Sequence, residues 1–351
     1  FAAACLYVLV TISQTPILQR NKIVSYSSYR ILPSSWILFA AFGITFGMAL
    51  SSRINLLPLG GILLVAVFIG VADLKLRRQK DLGQIVLLSI VLISVSALFT
   101  VLTFRATQPM SFRAVRGETT FFSFDLNPDW VDSMQVARDE SRGIGGGPPS
   151  EQWANRPAII FPWINMVLWG MGLPLGLTVW IGFFSSGWRV LRYGDNWRAH
   201  LIPLVWVGGY FLFMGTRFVK SMRYFLPIYP FLCLFAAWAL IGLYRRTRSG
   251  ARMTSQRMKP VRLALIVLIL SATLTWSLAF VNAVYRTDHT RIQASRWIYE
   301  NIQPNEDYKP VIANENWDES LPLRIDGQDP YGGLYRGITM EVRWYDNEKK
   351  R

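Results

Sequence analysis

The chain contains few of the residues that form disulfides or bind metals, with only two cysteines and two histidines in 351 residues. Cys5 and Cys233 lie within apolar stretches, where a thiol usually acts as a small buried hydrophobic group. Neither His200 nor His289 has cysteine or carboxylate neighbours at the spacing of metal ligands. We therefore expect no disulfide and no metal site, and the sequence indicates no certain cofactor.

The sequence also lacks the short motifs of several enzyme classes. It has neither the Gly-x-Ser-x-Gly elbow of serine hydrolases nor the His-Glu-x-x-His pair of zinc proteases. The glycine-rich run 143–149 lacks the Lys-Ser/Thr of a P-loop and is typical of a flexible hinge. Acidic residues are plentiful in the polar segments, but their spacing singles out no carboxylate pair of the glycosidase type.

Charged residues are scarce in a series of long apolar blocks. With 52% hydrophobic residues, the chain is too apolar for an ordinary soluble protein. Because a helix of roughly 20 residues spans a bilayer, we predict an all-α polytopic membrane protein with about eight spans. Blocks 36–50 and 201–214 are short, which is also typical of tilted, partly buried or re-entrant helices. The blocks are 1–13, 36–50, 56–72, 82–104, 159–184, 201–214, 224–244 and 263–284.

Basic residues predict how these spans are oriented. A net charge of +15 would indicate nucleic acid as the partner of a soluble protein, but here the cations concentrate in alternate loops. The positive-inside rule then makes four loops cytoplasmic, around residues 20–30, 75–80, 189–198 and 245–262. We predict no nucleic-acid partner, a multi-pass protein of the plasma (inner) membrane, and an external, periplasmic segment after Val284.

The predicted spans contain almost no ionisable residues, whereas a transporter places such residues along its path. Arg53 is the single cation between the second and third spans. Polar residues concentrate on the predicted external side instead. This distribution places any chemistry at the outer membrane boundary and favours a lipid-facing enzyme over a channel.

Three cations precede one apolar span in the segment 215–232. Arg217, Lys220 and Arg223 are spaced by three, so a helical or turn-like segment would place them on one face, where they could hold a phosphate. The pattern is equally typical of interfacial cations that cap a span, with Tyr224 and Tyr229 as aromatics at the membrane surface.

Two external segments are long enough to carry function. The loop 105–158 mixes aromatic and polar residues, which suits stacking on a sugar ring but also suits packing on the membrane face. Downstream, 289–302 has apolar residues at helical spacing and 311–313 is typical of a strand. We predict a transmembrane region over 1–284 and the start of a small external α/β domain over 285–351, incomplete at its end.

The segment Lys220-Ser-Met-Arg-Tyr-Phe-Leu-Pro-Ile-Tyr-Pro230 resembles bacterial membrane glycosyltransferases related to protein O-mannosyltransferases and aminoarabinose transferases, the family 39-like enzymes of the GT-C fold. The resemblance implies transfer of a sugar from a polyprenyl-phosphate donor to a protein, lipid or glycan acceptor on the external face. It implies a role in the cell envelope, such as protein glycosylation. Further likeness lies in 104–109, 126–130, 152–157, 289–291 and 315–324.

The resemblance also implies residue roles. Arg217, Lys220 and Arg223 would bind the donor phosphate, with Arg105 and Gln108 as second contributors. Paired cations would offset the negative charge that accumulates on the leaving phosphate.

A second group of residues would position the sugar or the acceptor. It consists of Tyr224, Trp153, Asn155, Arg156 and His289.

The family's catalytic acid lies in the first external loop, and we expect that loop to precede Phe1. The catalytic residue of this chain is therefore unknown, and we expect the chain alone to be an inactive fragment. The alternatives are a non-catalytic membrane scaffold, a protein that binds or flips lipid-linked sugars, and a membrane protein that polymerises polysaccharide.

Overall fold

The computed structural model describes residues 1–21, 28–75, 82–112, 123–144, 152–194, 196–248, 258–305, 309–315, 320–330 and 335–340. The chain divides into two compact units, and the boundary falls after Leu270. The first unit contains Phe1–Gly146 and Ser150–Leu270. The second contains Ser271–Arg351 with the short segment Gly147–Pro149.

The first unit is built mainly from apolar helices. Proline occupies the first turn of several of them, as in α2, α3 and α5, where its missing N–H costs no hydrogen bond. The helices are α1 Ala2–Gln14, α2 Pro33–Ser52, α3 Pro58–Lys75, α4 Leu82–Thr107, α5 Pro128–Arg142, α6 Ile160–Asn165, α7 Leu173–Leu191, α8 Trp197–Gly215 and α9 Tyr229–Arg248, with α10 Lys259–Tyr285 containing the boundary between the units.

Within the described residues, several helices are long and apolar enough to cross a membrane. The predicted all-α membrane character is confirmed at this level, while the number of spans stays a prediction. The qualifying segments are Pro33–Ser52, Ile54–Ala72, Leu82–Thr107, Met222–Arg245 and Lys259–Asn301.

Two glycines let α2 and α4 approach closely along most of their length. A Cβ atom at Gly47 would lie 2.7 Å from the Thr103 Cβ and 2.8 Å from the Thr100 carbonyl oxygen, and Gly43 is equally confined. The Ser96 hydroxyl donates a 2.8 Å hydrogen bond across the interface to a main-chain carbonyl of α2. Small residues four apart are the usual means by which membrane helices pack backbone to backbone.

The remaining helices of the first unit complete one core. Helix α1 packs on α2, α3 and α8, while α7 packs along α9. Trp206 and Tyr210 of α8 are almost fully buried at the centre, together with Phe39 and Phe42 of α2. Cys5 is buried in this core as its apolar surroundings predict, but Cys233 is exposed on the surface of α9.

The apolar block 159–184, predicted as one span, is broken in the structure. Helix α6 is followed by a π-helical turn, Met166–Gly170, and α7 starts only at Leu173. Gly172 has a φ of 74°, a conformation that side chains with a Cβ rarely adopt. Composition alone does not reveal such a break because both sides of it are equally apolar.

Two local elements within the polar loops were not predicted. Strands β1 Leu18–Asn21 and β2 Ser28–Ile31 form an antiparallel hairpin, and the Gln84 side chain bonds both the main-chain N–H and the carbonyl of Tyr29. The loop 105–158 contains α5, which begins with the Asn127 side chain as its cap and ends at Gly143 with a φ of 80°. Of the predicted hinge 143–149, residues 145–149 lie outside the described residues.

The second unit has the helix and the first strand that the sequence predicts, together with a second strand that was not predicted. Helix α11 runs over Thr290–Asn301, and the parallel strands β3 Val311–Glu315 and β4 Arg336–Met340 pair with each other. Arg296 of α11 forms ion pairs with Asp288 and Asp326, and these raise the pKa of Arg296 and lower that of Asp326. The α11 hydroxyl of Ser295 also accepts the Leu323 main-chain N–H at 2.8 Å.

Candidate functional site

Segments that are distant in sequence meet at one end of the first unit, which we call the outer end. It comprises Arg53, Arg105 and residues 215–223, which the basic-residue pattern predicts to be external, together with Tyr224 at the start of the next predicted span. The Arg53 guanidinium donates a 3.0 Å hydrogen bond to the carbonyl oxygen of Arg223. Ser51, at the end of α2, is hydrogen-bonded through its hydroxyl to Thr107, at the end of α4. Tertiary packing therefore brings three predicted external segments together.

The segment after α8 is anchored to the long loop by main-chain hydrogen bonds. The Phe218 N–H donates to the Ser141 carbonyl at 3.0 Å, and the Ile159 N–H donates to the Gly215 carbonyl at 3.0 Å. Gly143, which ends α5, lies directly against the Phe218 ring, where a Cβ would approach within 2.8 Å. The cation-bearing segment is thus held against the end of α5 and the residue that precedes α6.

The three cations of this segment do not lie on one helical face. Residues 217–221 are irregular, and a 3₁₀ helix, Met222–Ile228, follows. The Arg217 guanidinium lies 4.3 Å from the centre of the Phe213 ring, whereas that of Arg223 lies 5.2 Å from the centre of the Tyr224 ring. Each of these two arginines therefore lies beside its own aromatic ring. The irregular backbone of residues 217–221 sets their relative positions, and a helical repeat does not.

Lys220 is the most enclosed cation of the segment, with only 6% of its surface exposed. Its Nζ donates a 3.1 Å hydrogen bond to the Phe218 carbonyl and lies 5.6 Å from the Phe218 ring centre. Burial lowers the pKa of Lys220, because desolvation disfavours the charged form. An anion beside this group would oppose that effect.

Arg53 is a site residue that sequence reasoning did not select. Its position at the outer end of α2, before the predicted external turn, was the available signal. The Arg223 carbonyl that it binds precedes Tyr224, whose own carbonyl accepts a 3.0 Å hydrogen bond from the Tyr210 hydroxyl. Two side chains thus hold consecutive carbonyls at the start of the 3₁₀ helix.

Arg105 and Gln108 lie at the end of α4. Arg105 is 8% exposed, its Nε donates a 2.8 Å hydrogen bond to the Ser123 carbonyl, and its guanidinium is 4.9 Å from the Phe112 ring centre. Gln108 begins a 3₁₀ turn in which its carbonyl accepts the Ser111 N–H. Arg105 thus contacts the loop that follows α4.

Trp153, Asn155 and Arg156 form a separate turn before α6. The Trp153 ring meets the Phe161 ring edge to face at 6.2 Å, and the Arg156 guanidinium lies 5.3 Å from the same Phe161 ring. Asn155 has a φ of 56°, which this residue type tolerates better than most. The turn therefore packs on the start of α6 through Phe161, and the side chains of Asn155 and Arg156 remain exposed.

The aromatic residues of the long loop contact one another instead of forming a flat platform. Phe104 meets both Phe112 and Trp130 edge to face, and Phe124 meets Phe112 in the same way. Phe121 and Phe122 lie outside the described residues. Among the described rings, Phe124 is 48% exposed, so it is the ring most accessible to a ligand.

The two histidines both have structural partners. In the second unit, the Nδ1 of His289 accepts the Arg291 main-chain N–H at 3.2 Å and caps α11. In the first unit, the Nδ1 of His200 lies 2.7 Å from the Ser186 hydroxyl. Among the described residues, no group of three or more His, Cys, Asp or Glu could hold a metal ion.

The electrostatics of the outer end favour an anion. In the part of the chain that the structure describes, no carboxylate lies within ion-pair distance of Arg53, Arg217, Lys220 or Arg223. Positive charge near a low-dielectric membrane is costly unless a counter-charge accompanies it. A phosphate is the counter-charge best suited to guanidinium and ammonium donors.

Comparison of the chain with known protein families, with curated proteins and with solved structures finds no match.

Proposed function

We propose that the chain belongs to a membrane glycosyltransferase of the GT-C type, which transfers a sugar from a polyprenyl-phosphate donor to an acceptor at the outer face. The observation that carries the proposal is the set of cations at the outer end, Arg53, Arg217, Lys220 and Arg223, which lack described carboxylate partners. The sequence resemblance supports the sugar chemistry, and the cations of the outer end support the assignment of the phosphate.

The cations would act on the leaving group. When the bond between the sugar and the phosphate breaks, negative charge accumulates on the phosphate oxygens, and fixed N–H donors nearby stabilise it. Arg53 is held by the Arg223 carbonyl, and Lys220 by the Phe218 carbonyl, so both are positioned before a ligand arrives. No described residue of the outer end is assigned as the general base that accepts the acceptor proton.

The rest of the donor matches the surroundings of this end. A polyprenyl chain is as apolar as the helices that emerge there, so it would remain in the bilayer while its phosphate reaches residues 217–223. The exposed polar groups of Asn155 and Arg156, with the Trp153 ring, would contact the sugar or the acceptor. Tyr224, whose ring lies beneath Arg223, would border the phosphate and the sugar.

A binding measurement with a double variant tests the phosphate site. The protein in detergent micelles would be titrated with a polyprenyl phosphate, and Lys220→Ala/Arg223→Ala compared with the wild type. We expect affinity to fall by roughly a hundredfold, because each charged hydrogen bond contributes about tenfold. Arg192→Ala, which removes one cation from the predicted cytoplasmic side, should leave affinity unchanged. Unchanged affinity in a folded double variant would remove the phosphate assignment.

A transfer assay separates an enzyme from a protein that only binds or flips the donor. The coding DNA upstream of Phe1 would be sequenced, and the product expressed with any further span and external loop that it encodes. If that loop carries an Asp or Glu beside the membrane, we expect sugar transfer that is lost when this residue is replaced by Asn or Gln. Donor binding without transfer would instead support the binding or flipping alternative.

A further inference from the structure

A groove lies at the end of the first unit opposite the outer end, and it is lined by different residues. It lies between α3, α7 and α8 and has a volume of about 440 Å³, which falls in the range of small-ligand sites, roughly 300–1,000 Å³. Phe68 and Ala72 of α3 and Leu191 of α7 line its apolar part. Phe68 is 66% exposed and Leu191 is 74% exposed. The groove is therefore open along the surface of the helices instead of being enclosed.

The mouth of the groove is aromatic and basic. Tyr193, Trp197 and Arg198 line it, and all three lie in or beside the turn that joins α7 to α8. The Tyr193 and Trp197 rings meet edge to face at 5.4 Å, and the Arg198 guanidinium is 5.5 Å from the Trp197 ring centre. An apolar floor with amphipathic rings and a cation at its rim is the arrangement found where a protein meets the membrane surface.

The backbone of this turn is in an unusual conformation. Tyr193 has a φ of 48° and Asn196 a φ of 57°. A bulky residue such as tyrosine rarely adopts a positive φ, so the surrounding structure must hold it there. In this conformation, Tyr193 and Trp197 lie next to each other at the mouth of the groove.

The charge of the same segment indicates the headgroup. Residues 189–198 contain three arginines, Arg189, Arg192 and Arg198, and one acidic residue, Asp195, so the segment has a net positive charge. The positive-inside rule places this segment on the cytoplasmic side, where anionic lipids attract basic residues next to spans. A zwitterionic headgroup would gain much less from that charge.

We propose that this groove binds an anionic phospholipid of the cytoplasmic leaflet. One acyl chain lies against Phe68, Ala72 and Leu191, and the lipid phosphate lies beside Arg198, with Tyr193 and Trp197 at the level of the glycerol. This lipid is distinct from the sugar donor, whose phosphate we assign to the outer end. The two assignments stand independently, because no residue is common to both.

Native mass spectrometry of the purified full chain tests the proposal directly. The protein would be titrated with phosphatidylglycerol and, separately, with phosphatidylcholine of the same acyl chains. We expect the wild type to bind phosphatidylglycerol more tightly, and Arg198→Ala to weaken that binding roughly tenfold while changing phosphatidylcholine binding little. The matched control is Arg192→Ala, which removes an equal charge from the same segment outside the groove; its guanidinium lies over the Trp188 ring.

A second variant tests the apolar part of the groove. Ala72→Phe places a ring where the acyl chain would lie, so we expect binding of both lipids to decrease. If Arg198→Ala and Arg192→Ala weaken phosphatidylglycerol binding equally, the attraction is a general surface effect and the proposal is wrong. Equal affinity of the wild type for the two lipids would also overturn it, as would undiminished binding to a folded Ala72→Phe protein.

Discussion

The two ends of the first unit use cations in different ways. At the outer end, Arg53 and Lys220 donate hydrogen bonds to main-chain carbonyls. At the opposite end, Arg192 and Arg198 lie over tryptophan rings. A cation tied to the backbone has a set position, which suits a phosphate that must be held during a reaction. A cation resting on an aromatic ring can extend its charge towards lipid headgroups.

The difference has its origin in the local backbone. Residues 217–221 are irregular, so the Phe218 carbonyl can accept a hydrogen bond from Lys220 instead of from a helical N–H. The Arg223 carbonyl that Arg53 binds lies in the first turn of the 3₁₀ helix that follows. In the segment 189–198, the ends of α7 and α8 flank a tight turn, and the carbonyls of Arg189, Val190, Gly194 and Asn196 already accept main-chain N–H groups. Its arginines therefore pack on neighbouring side chains. Variants at each end test whether this contrast separates two binding sites.

The largest effect is expected from inserting a side chain between α2 and α4, where they are in close contact. Gly47→Leu places a side chain against Thr100 and Thr103, and we expect it to destabilise the protein by about 3 kcal/mol. It should also weaken polyprenyl-phosphate binding, because Arg53 lies at the end of α2, but it should spare the lipid groove, which α2 does not line.

Thermal unfolding in detergent micelles, followed by ligand titration below the transition, measures both effects. Gly61→Leu is the matched control, because a side chain at Gly61 meets no atom within 4 Å. Equal stability of the Gly47 and Gly61 variants would contradict the close approach of the two helices.

The second prediction compares the two sites by removing one arginine from each. Arg53→Ala should weaken polyprenyl-phosphate binding roughly tenfold, since it removes one charged donor, and should leave phosphatidylglycerol binding unchanged. Arg198→Ala should have the reverse pattern. Titration calorimetry of both variants with both ligands measures this, and Arg53→Lys should recover part of the affinity. The contrast between the two ends would fail if each variant affected both ligands to the same degree.

The third prediction concerns the protonation of Lys220. Because its pKa is lowered in the folded protein, phosphate affinity should fall severalfold as the pH rises through that lowered pKa. Lys220→Arg stays charged over this range, so its affinity should change little. Titrations between about pH 7 and about pH 10 would distinguish the two. A parallel pH dependence for both proteins would show that Lys220 does not contact the anion.

The same pKa shift affects stability with a definite sign. Between the lowered folded pKa and the higher unfolded value, the unfolded chain binds more protons, so the free energy of unfolding rises with pH. Lys220→Met should remove this rise. Denaturant titrations at several pH values measure it, and a decrease in stability with pH that depends on Lys220 would contradict the direction of the shift.

The smallest effect is expected in the second unit, at His289. His289→Ala removes the cap of α11 and should destabilise that helix by about 1 kcal/mol, whereas His289→Asn should retain most of the cap. Hydrogen exchange of the α11 amides measures the change. If His289→Asn preserves α11 but abolishes sugar transfer in the active protein, His289 contacts the sugar or the acceptor in addition to capping the helix.

Much of the helical framework could be predicted from local patterns. The apolar block 82–104 corresponds to α4, and 263–284 lies within α10, because an apolar run of bilayer length must satisfy its own backbone hydrogen bonds. Helix α5 was missed, although Asn127 and Pro128 at its start and Gly143 after its end are ordinary boundary signals. Because its composition is polar, no helix was predicted in this part of the loop 105–158.

The site was less predictable than the helices. The spacing of Arg217, Lys220 and Arg223 correctly marked a basic segment, but the expected common face is absent because residues 217–221 are not helical. Arg53 could not be joined to Arg223 from the sequence, since the two are 170 residues apart and meet only when α2 packs against its neighbours. The lipid groove is equally non-local, because three helices contribute to it.

The sequence by itself determined the membrane character and the placement of most apolar helices, because hydrophobic length and composition are local properties. It also determined which loops carry positive charge. Only the tertiary structure decided that Arg53 reaches the Arg223 carbonyl, that the segment 217–221 is not helical, and that α3, α7 and α8 line an open groove. Those features depend on contacts between distant segments, which close packing of helices creates and which residue spacing along the chain does not encode.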